Sequence, residues 1–436
     1  MQPVDILILS NGPGELVTWV RPVVQQLRQQ LGGNISQVRV SVVLSPCTHA
    51  TGQETAIAQK YPEVDRVLGA KDFWPFLLWG KTADNWDWHP QGVVVFLGGD
   101  QFFTVVIGKR LGYRTVVYAE WSARWQPWID RFGAMNEAIC DSVPAKYANK
   151  FTVVGDLIAD LPNQLTALPL APPCEEGEQI RPINRGENQD LIALMPGSKP
   201  AKLAQGVPLT LAIAEKIHAS RPETRFVIPV APTVDLSTLA KYADLKQNPV
   251  IASMGWTSGI LKAENQSEHQ SNVTQHYLET PSGLRVYLYT ETPAYHLLSQ
   301  CNLCLTTVGA NTAELGSLAI PAIVLLPTQQ LDAMRAWDGI PGLLANLPGL
   351  GFYFAQIINW WVLRKKRLYA WPNIWAKEEV IPELVGKLTP ESVANMALDF
   401  LANPDKLEEM RSRLRNLRGE TGAAQKFAQL ILELVH

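Results

Sequence analysis

The sequence predicts an α/β protein with two Rossmann-like domains whose parallel sheets face a cleft. In both halves of the 436-residue chain, short apolar runs typical of buried strands alternate with amphipathic helical patterns. Several of these strands end in turns rich in glycine or polar residues. A segment rich in Pro, Glu and Gly, 162–190, separates the halves as a linker. The predicted domains are therefore 1–161 and 191–389. C-terminal helices follow over 390–436, and packing against the first domain is one arrangement open to them.

The individual elements follow from hydrophobic periodicity. Apolar runs predict strands over 4–10, 38–44, 64–68, 92–97, 115–118, 191–195, 226–230, 285–289, 303–307 and 322–326. Amphipathic patterns predict helices over 16–31, 102–111 and 203–220. The polar stretch 256–283 is expected to be an exposed loop or excursion.

Composition and charge argue against nucleic-acid, redox and metal chemistry. The net charge is −3 with both signs spread along the chain, whereas binding a nucleic-acid backbone needs a clustered basic face. The five cysteines form no paired metal-ligand array, so reduced core thiols are expected. The stretch MQPVDILILS has no basic residue before its apolar run, which favours a first strand over a signal peptide and predicts a cytoplasmic protein.

Two loops of the first domain carry candidate catalytic acids. The first strand is followed by Asn11-Gly12-Pro13-Gly14-Glu15, whose glycines let a ligand approach the backbone closely, and a later strand ends in Gly98-Gly99-Asp100. In a doubly wound sheet both loops face one crevice, so Asp100 and Glu15 are competing candidates for a catalytic acid or base there. The alternative for Asp100 is the cap of the helix that follows it. His49 ranks third as a candidate base.

The second domain has two turns suited to a phosphate. One strand is followed by Pro196-Gly197-Ser198-Lys199, and another by a turn at Gly309, after which Asn311-Thr312 is predicted to cap a helix that carries Glu314. The free N–H groups and dipole of a helix N-terminus favour an anion, and Glu314 is placed to accept from a sugar or ribose hydroxyl. Because any α/β protein has capped helices after strands, an ordinary structural role is the alternative.

Several motifs resemble those of lipid A disaccharide synthase, and they occur in the same order over nearly the whole chain. They are Leu194 to Lys199, similar to that family's LLPGSR turn; Gly309 to Pro321, similar to its GTAxLE…P segment; Trp371 to Ala376 with Pro382 to Leu384, similar to its LPNLLA…PELLQ stretch; Gly155 to Asp160, similar to its GHxxxD linker; and Arg114 to Trp125, similar to its strand and YVSPSVWAW loop.

The resemblance implies the B-type glycosyltransferase fold and an inverting transfer of a sugar from a UDP-sugar to a lipid or amphiphilic acceptor, without a cofactor. The residues expected to bind the nucleotide sugar are Gly197, Ser198, Lys199, Gly309, Ala310, Asn311, Thr312 and Glu314. Helix N-termini and a cation can hold a departing diphosphate. No DxD sequence occurs in a suitable loop, so no metal site is expected. Asn11, Gly12 and Gly14 are expected to form the acceptor-side loop.

The sequence departs from the family on the acceptor side. The family's GETSGD loop is here SNGPGE, so Asn11 replaces its glutamate and Glu15 its last acid. Its DAPDF segment, with the presumed catalytic aspartate, corresponds to LGGDQF, in which Asp100 lies nearest. The linker histidine is Asp156, and the PGSR arginine is Lys199, which cannot make a bidentate fork. The pattern resembles the divergent lipid A disaccharide synthase-related group, whose acceptor need not be the lipid A precursor.

A charge-free stretch and the cationic run after it predict a membrane contact. Residues 339–363 carry no charge, and Arg364-Lys365-Lys366-Arg367 follow directly. Glycines, prolines and amides make this stretch a poor transmembrane helix, whereas aromatic residues beside basic ones suit a bilayer surface. Trp360 and Trp361, with the four cations, are predicted to face the membrane, which makes the protein peripheral on the cytoplasmic face. The alternative is a buried surface between the subunits of a homodimer.

Two other functions fit the same features. A non-hydrolysing sugar-nucleotide epimerase shares the fold and would bind the nucleotide without an acceptor site. A non-catalytic relative would keep the nucleotide-sugar pocket after losing its base, which the rewritten acceptor loops permit.

Overall fold

The computed structural model describes residues 3–47, 50, 52–160, 189–266, 273–327, 368–417 and 419–435. The chain divides into two compact units: unit 1 comprises Met1–Pro169 and Arg418–His436, and unit 2 comprises Leu170–Leu417. Each unit is built on one sheet with helices packed on it. The predicted α/β class is confirmed.

The elements are numbered along the chain. The strands are β1 (Val4–Ser10), β2 (Val38–Leu44), β3 (Arg66–Leu68), β4 (Gln91–Phe96), β5 (Arg114–Ala119), β6 (Arg131–Ala134), β7 (Phe151–Val153), β8 (Leu191–Met195), β9 (Arg225–Pro229), β10 (Ile260–Gln266), β11 (Val273–Glu279), β12 (Arg285–Tyr289), β13 (Leu303–Thr307), β14 (Ala322–Pro327) and β15 (Glu383–Gly386). The helices are α1 (Pro13–Glu15), α2 (Arg21–Leu31), α3 (Glu54–Gln59), α4 (Phe73–Trp79), α5 (Gln101–Leu111), α6 (Glu137–Asp141), α7 (Pro200–Ser220), α8 (Leu236–Ala243), α9 (Pro249–Met254), α10 (Tyr295–Ser299), α11 (Ala310–Ser317), α12 (Trp371–Ala376), α13 (Pro390–Ala402), α14 (Pro404–Leu417) and α15 (Ala423–Leu432). Short 3₁₀ turns occupy Ala70–Asp72, Ala145–Lys150 and Leu157–Asp160, and a π-helical turn occupies Leu16–Val20.

The sheet of unit 1 is parallel throughout, in the order β3-β2-β1-β4-β5-β6-β7. Every residue of β1 is buried, as expected for a central strand covered on both faces. From β1 the chain builds β2 and β3 on one side and β4 to β7 on the other. The strand order therefore reverses between β1 and β4, and a crevice is expected beyond the carboxyl ends of these two strands.

The first helical segment starts earlier than the sequence predicts. A helix was expected over 16–31, but α1, the π-helical turn and α2 follow one another directly from Pro13. The fixed φ of Pro13 suits the first position of a helix, where its missing N–H costs no hydrogen bond. Glu15 consequently lies within the first helical turn, and only Asn11 and Gly12 connect β1 to it.

A buried charge cluster lies at the amino ends of β1 and β2, at the opposite end of the strands from the expected crevice. Asp5 is fully buried and accepts from Arg39 Nε at 2.7 Å, from the hydroxyl of Tyr113 at 2.8 Å and from the backbone N–H of His89 at 2.7 Å. Arg39 also pairs with the exposed carboxylate of Asp87 at 3.0 Å. Burial next to this carboxylate raises the pKa of the Tyr113 hydroxyl well above its usual range. The cluster joins β1, β2 and the segment before β4.

The sheet of unit 2 has eight strands in the order β10-β11-β12-β9-β8-β13-β14-β15. From β12 to β15 the neighbouring strands are parallel, and β10 and β11 pair antiparallel. The order reverses between β8, which leads to β9 on one side, and β13, which leads to β14 on the other. Unit 2 therefore has its own switch point between β8 and β13.

The stretch 256–283 was predicted to be an exposed loop or excursion, and it contains an antiparallel ribbon. Strands β10 and β11 pair over their full length at the edge of the sheet. Their polar side chains make ion pairs: Lys262 of β10 pairs with Glu279 of β11, and Glu264 of β10 pairs with Arg285 of β12 at 2.8 Å. A ribbon with this much polar surface lacks the apolar alternation that identifies a strand.

The C-terminal region divides between the two units. Helices α13 and α14 belong to unit 2, where buried Val393, Ala397 and Leu401 of α13 join its core. Helix α15 belongs to unit 1, where Phe427 packs edge-on against Tyr118 with the ring centroids 5.7 Å apart. The boundary between these helices thus lies at residue 418 rather than at 390.

None of the helices within the described ranges is long and apolar enough to cross a bilayer. The predicted membrane-facing residues Trp360, Trp361 and Arg364 to Arg367 lie outside the described residues. So does His49.

Candidate functional site

The switch point of unit 2 brings two helix N-termini together. Strand β8 leads through Pro196-Gly197-Ser198-Lys199 into α7, and the neighbouring strand β13 leads through Val308 and Gly309 into α11. In neither helix does the N-cap residue make a side-chain capping hydrogen bond. The first-turn N–H groups of α11 and α7 therefore have no side-chain cap to compete with an anion.

Gly197 allows these two turns to approach closely. Its φ is +102°, a conformation that side chains other than glycine rarely adopt. A Cβ built on it would lie 2.9 Å from Cβ of Lys202 and 3.2 Å from Oγ1 of Thr307. A side chain here would clash with α7 and crowd the end of β13, so the predicted PGSK turn needs this glycine.

Lys202 is the cation that connects the two turns, and the sequence analysis missed it. Its ammonium donates to the carbonyl of Val308, and it would lie 3.6 Å from a Cβ built on Gly309. Burial, and secondarily the charge of Lys199, lower the pKa of the Lys202 ammonium. The predicted cation Lys199 is partly exposed and precedes α7. The signal for Lys202 was its place directly before the predicted helix 203–220, three residues after Lys199 of the predicted phosphate-binding turn.

The predicted cap by Asn311 and Thr312 is wrong. The Asn311 amide donates back to Thr306 Oγ1 and to the Thr307 carbonyl at 3.1 Å, so it fastens α11 to the end of β13. The Thr312 hydroxyl donates to the Gly309 carbonyl at 2.8 Å. The hydroxyl of Thr307, whose side chain is only 8% exposed, has no hydrogen-bond partner among the described residues. A buried hydroxyl without a partner, beside the Gly197 turn, is a group that a ligand could satisfy.

Glu314 lies further along α11 and is partly buried. Burial raises the pKa of its carboxyl group to about 7. No hydrogen bond or ion pair from a described residue reaches this carboxyl group. The carboxyl group therefore retains its capacity to bond a hydroxyl.

The WPNIWA motif packs against this helix. Pro372 lies so close to Gly316 of α11 that a Cβ there would be 2.6 Å from its Cγ. Asn373 is fully buried and accepts from the N–H groups of Val380 and Ile381 at 2.8 and 2.9 Å, and its amide donates to Glu383 at 2.7 Å. The motif is thus a packing element that holds α12 against α11.

The carboxyl ends of the strands of unit 1 bring together the predicted acceptor-side residues. Gly98 has a φ of +140°, and a Cβ there would lie 2.9 Å from Asn11 Oδ1 and 3.3 Å from Glu15 Cγ. A Cβ on Gly12 would lie 2.3 Å from a carboxylate oxygen of Glu15. The side-chain oxygen of Asn11 is buried without a partner among the described residues. The loops after β1 and β4 therefore pack on one another, with Glu15 between them.

The two predicted acids occupy different environments. Asp100 is exposed and accepts from the backbone N–H of Phe102 at 2.9 Å, which makes it the N-cap of α5. Capping this helix is the alternative role that the sequence analysis gave for Asp100. Gly14 is partly exposed in the first helical turn next to Glu15.

Glu120, which directly follows β5, is a third acid at this edge, and the sequence analysis did not single it out. Burial raises the pKa of its carboxyl group to about 7, and the charges of Asp156 and Glu15 act in the same direction. Burial also raises the pKa of Asp156. The available signal was an acid at a strand end, the same signal that identified Glu15 and Asp100. Within the described ranges no His, Cys, Asp and Glu side chains are grouped so that they could hold a metal ion.

Comparison with known proteins shows which enzymes the chain is similar to. No protein-family model matches the sequence. The chain is 25% identical over 245 residues to the lipid-A-disaccharide synthase of Anaeromyxobacter sp. (strain K), covering 55% of this chain and 48% of that protein. It is 24% identical over 251 residues to the lipid-A-disaccharide synthase of Myxococcus xanthus, covering 56% and 49%. The chain thus spans about half the length of these curated relatives.

Among solved structures, the fold is similar to that of UDP-GlcNAc 2-epimerase from Neisseria meningitidis bound to UDP-GlcNAc. The TM-score is 0.53 at 13% identity, and the match covers 99% of this chain and 100% of that one. At this identity the likeness establishes the fold alone. The chain therefore has the B-type glycosyltransferase fold, and its predicted resemblance to the lipid-A-disaccharide synthases is confirmed by similarity in sequence.

Proposed function

We propose that this protein is a metal-independent, inverting glycosyltransferase that moves a sugar from a UDP-sugar to a lipid or amphiphilic acceptor. The observation that carries the proposal is the convergence of two uncapped helix N-termini with Lys202 at the switch point of unit 2. Similarity in sequence to lipid-A-disaccharide synthases supports the glycosyltransferase class.

The donor site is assigned to unit 2 on chemical grounds. In the transfer, the acceptor oxygen attacks the anomeric carbon, the bond from that carbon to the diphosphate breaks, and the electron pair leaves with UDP. The first turns of α7 and α11, with Lys202 and Lys199, would stabilise the charge that develops on the diphosphate. The unpartnered hydroxyl of Thr307 would donate to a phosphate oxygen, and Glu314 would accept from a hydroxyl of the nucleotide sugar.

The general base is assigned to the crevice of unit 1. The base must take the proton of the acceptor hydroxyl, which a carboxylate with a pKa near the working pH does best. Glu120 has such a pKa, about 7, and Glu15 lies between the two loops that form the crevice. We rank both above Asp100, whose carboxylate is engaged as a helix cap.

The proposal is tested by UDP binding, measured by calorimetry in excess EDTA. Lys202→Met should weaken binding roughly 10- to 100-fold, since a hydrogen bond to a charged group contributes about 1.5–3 kcal/mol. Thr307→Val should weaken UDP binding less, because the hydrogen bond that is lost has a neutral hydroxyl donor. The matched control is Lys216→Met on the same helix, an exposed lysine paired with Glu391 at 2.8 Å. Thermal unfolding of each variant checks that the fold is retained.

Three outcomes separate this function from its alternatives. UDP affinity that is unchanged in Lys202→Met, or that requires Mg²⁺ or Mn²⁺, contradicts the assigned donor site. Isomerisation of UDP-GlcNAc by the protein alone identifies an epimerase. Nucleotide binding without transfer or hydrolysis of any UDP-sugar, in the presence of lipid extracts, identifies a non-catalytic binding protein.

A further inference from the structure

Strand β10 is the longest of the described strands that lie at the edges of the two sheets. The sheets end in four strands, which are β3 and β7 in unit 1 and β10 and β15 in unit 2. Strands β3 and β7 have three residues each and β15 has four, whereas β10 has seven. No described strand pairs with the side of β10 that faces away from β11. The backbone N–H and C=O groups on that side are therefore a template for a further strand.

Most of the features that protect an edge strand from pairing are absent from β10. Its sequence, ILKAENQ, contains no proline, and it pairs with β11 residue for residue without a bulge. Ile260, at its start, is 68% exposed. The remaining protective feature is charge, but Lys262 and Glu264 have opposite signs and repel only a strand whose charges do not match. The strand is thus open to a partner with the complementary order of charges.

The charges of β10 are complementary to a second copy of the same strand. When two identical strands pair antiparallel about a two-fold axis, one residue lies opposite its own copy. With Ala263 at the axis, all seven residues are paired, and Lys262 of each copy lies opposite Glu264 of the other. An axis at Lys262 or at Glu264 sets like charges opposite each other, and an axis nearer either end leaves most of the strand unpaired. A single arrangement therefore satisfies both the length and the charges of the strand.

Both charged side chains of β10 lie on its open face and can accept a second partner. Leu261 packs on the core of unit 2, so Lys262 and Glu264 project from the opposite face of the strand. Their side chains are 46% and 50% exposed, although each already makes an ion pair with a neighbouring strand of its own sheet. An ammonium group has three donors and a carboxylate has two acceptor oxygens, so each can bond across an axis at Ala263 without losing its present partner.

We propose that the protein forms a homodimer in which two copies of β10 pair antiparallel about Ala263. The pairing joins the two eight-stranded sheets into one continuous sheet and adds about six to eight backbone hydrogen bonds between the copies. Strands β11, β12 and β9 lie between β10 and the switch point at β8 and β13. The contact therefore uses no residue of the donor site, and the dimer does not depend on the proposed function.

Sedimentation velocity of the full chain, between about 1 and 200 μM protein, tests the proposal. The wild type should pass from monomer to dimer within this range, because one pair of strands is a small interface and small interfaces are weak. Lys262→Glu leaves two acids on β10 and Glu264→Lys leaves two bases, so like charges oppose each other when either variant pairs with itself. Each variant alone should dimerise roughly tenfold more weakly or worse than the wild type.

An equimolar mixture of these two variants should dimerise again, because the acids of one chain then face the bases of the other. The mixture distinguishes an interface from a role inside the sheet. Each substitution breaks an ion pair within its own chain, with Glu279 or with Arg285, and mixing restores neither of them. Recovery in the mixture can therefore come only from a contact between chains.

The matched control reverses the same two charges at an exposed ion pair of unit 2 away from β10. Lys216→Glu and Glu391→Lys change a pair between α7 and α13 whose side chains are 52% and 57% exposed. These variants, alone and mixed, should dimerise like the wild type. Thermal unfolding of every variant checks that the fold is retained, and UDP affinity should be unchanged throughout.

Hydrogen exchange locates the contact in the wild type. The backbone amides of β10 that point away from β11 should exchange roughly tenfold more slowly in the dimer than in the monomer, because they then donate to the second copy. The amides of β15, at the other edge of the same sheet, should exchange at the same rate in both.

Three results would overturn the proposal. One is a wild-type chain that stays monomeric at the highest concentration, whether a segment of the same chain or another protein then occupies the edge of β10. Another is a mixture of the Lys262→Glu and Glu264→Lys chains that dimerises no better than either chain alone. The third is a dimer that both single variants form as tightly as the wild type, because the interface then lies elsewhere in the chain.

Discussion

The buried carboxyl group of Glu314 predicts a specific dependence of stability on pH. Its pKa is raised from 4.5 to about 7 by burial, and no described hydrogen bond stabilises the charged form. Between these two values the folded protein keeps a proton that the unfolded chain has released. The free energy of unfolding should therefore fall as pH rises through this interval. At 1.36 kcal/mol per pH unit, the loss is at most about 3 kcal/mol.

Glu314→Gln removes the ionisable group while preserving its shape. We expect the free energy of unfolding of the wild type, minus that of the variant, to fall by up to about 3 kcal/mol between pH 5 and pH 8. Urea denaturation of both proteins, in steps of half a pH unit, gives this difference directly. Glu379→Gln, at an exposed position of the same unit, corrects for the change in net charge.

A flat difference across this range would refute the reasoning. It would mean that the carboxylate is ionised over the whole pH range. Its charge would then be stabilised by water or by a partner other than the described residues. The same urea denaturation at saturating UDP gives a second test. If Glu314 accepts a hydroxyl of the nucleotide, bound UDP should favour the ionised form, lower the pKa of the folded protein toward 4.5 and make the fall in stability smaller.

Two further predictions concern buried polar groups that hold each unit together. Asp5→Ala leaves the buried Arg39 guanidinium without its main counter-charge and should lower the free energy of unfolding by roughly 3–5 kcal/mol. Asp87→Ala, which removes an exposed partner of the same guanidinium, should lower the free energy of unfolding far less, so equal losses would contradict the account. Asn373→Ala should cost roughly 3 kcal/mol or more in urea denaturation, because two buried N–H groups lose their acceptor. Asn403→Ala, at an exposed amide, should have little effect, and a similar loss there would argue against the burial of Asn373 as the cause.

The parts of the fold that the sequence predicted well are those specified by local patterns. Strands β1, β2, β8, β12 and β13 have the predicted ends, because each is a mainly apolar run that can be recognised from the local sequence. Strands β10 and β11 escaped notice because their edge position allows polar side chains on both faces. The start of the first helix was missed because Pro13 was taken as part of a turn, although proline is also favoured at a first helical position.

In the candidate site too, residues with a local sequence signal could be predicted, and residues whose role depends on distant contacts could not. The turns at Gly197 and Gly309 could be located because a turn after a buried strand is a local signal. Lys202 could not be assigned its role, because that role depends on Val308, which is distant in sequence and adjacent only after β8 and β13 pair. Asn311 was predicted as a cap because its side chain type favours caps, yet the nearby end of β13 offers it better acceptors.

The connection of α15 to unit 1 has a consequence for the order of folding. Asp160 accepts from the backbone N–H groups of Gly422 and Ala424, so the first turn of α15 is fastened beside the end of the N-terminal segment. Unit 1 is therefore built from two stretches of chain, and unit 2 is inserted between them. During synthesis, the sheet of unit 1 emerges long before the helix that covers Tyr118 and Gly133. Until Phe427 is made, this apolar face lacks the cover that α15 gives it, so nascent unit 1 presents apolar surface at which aggregation or chaperone binding can begin.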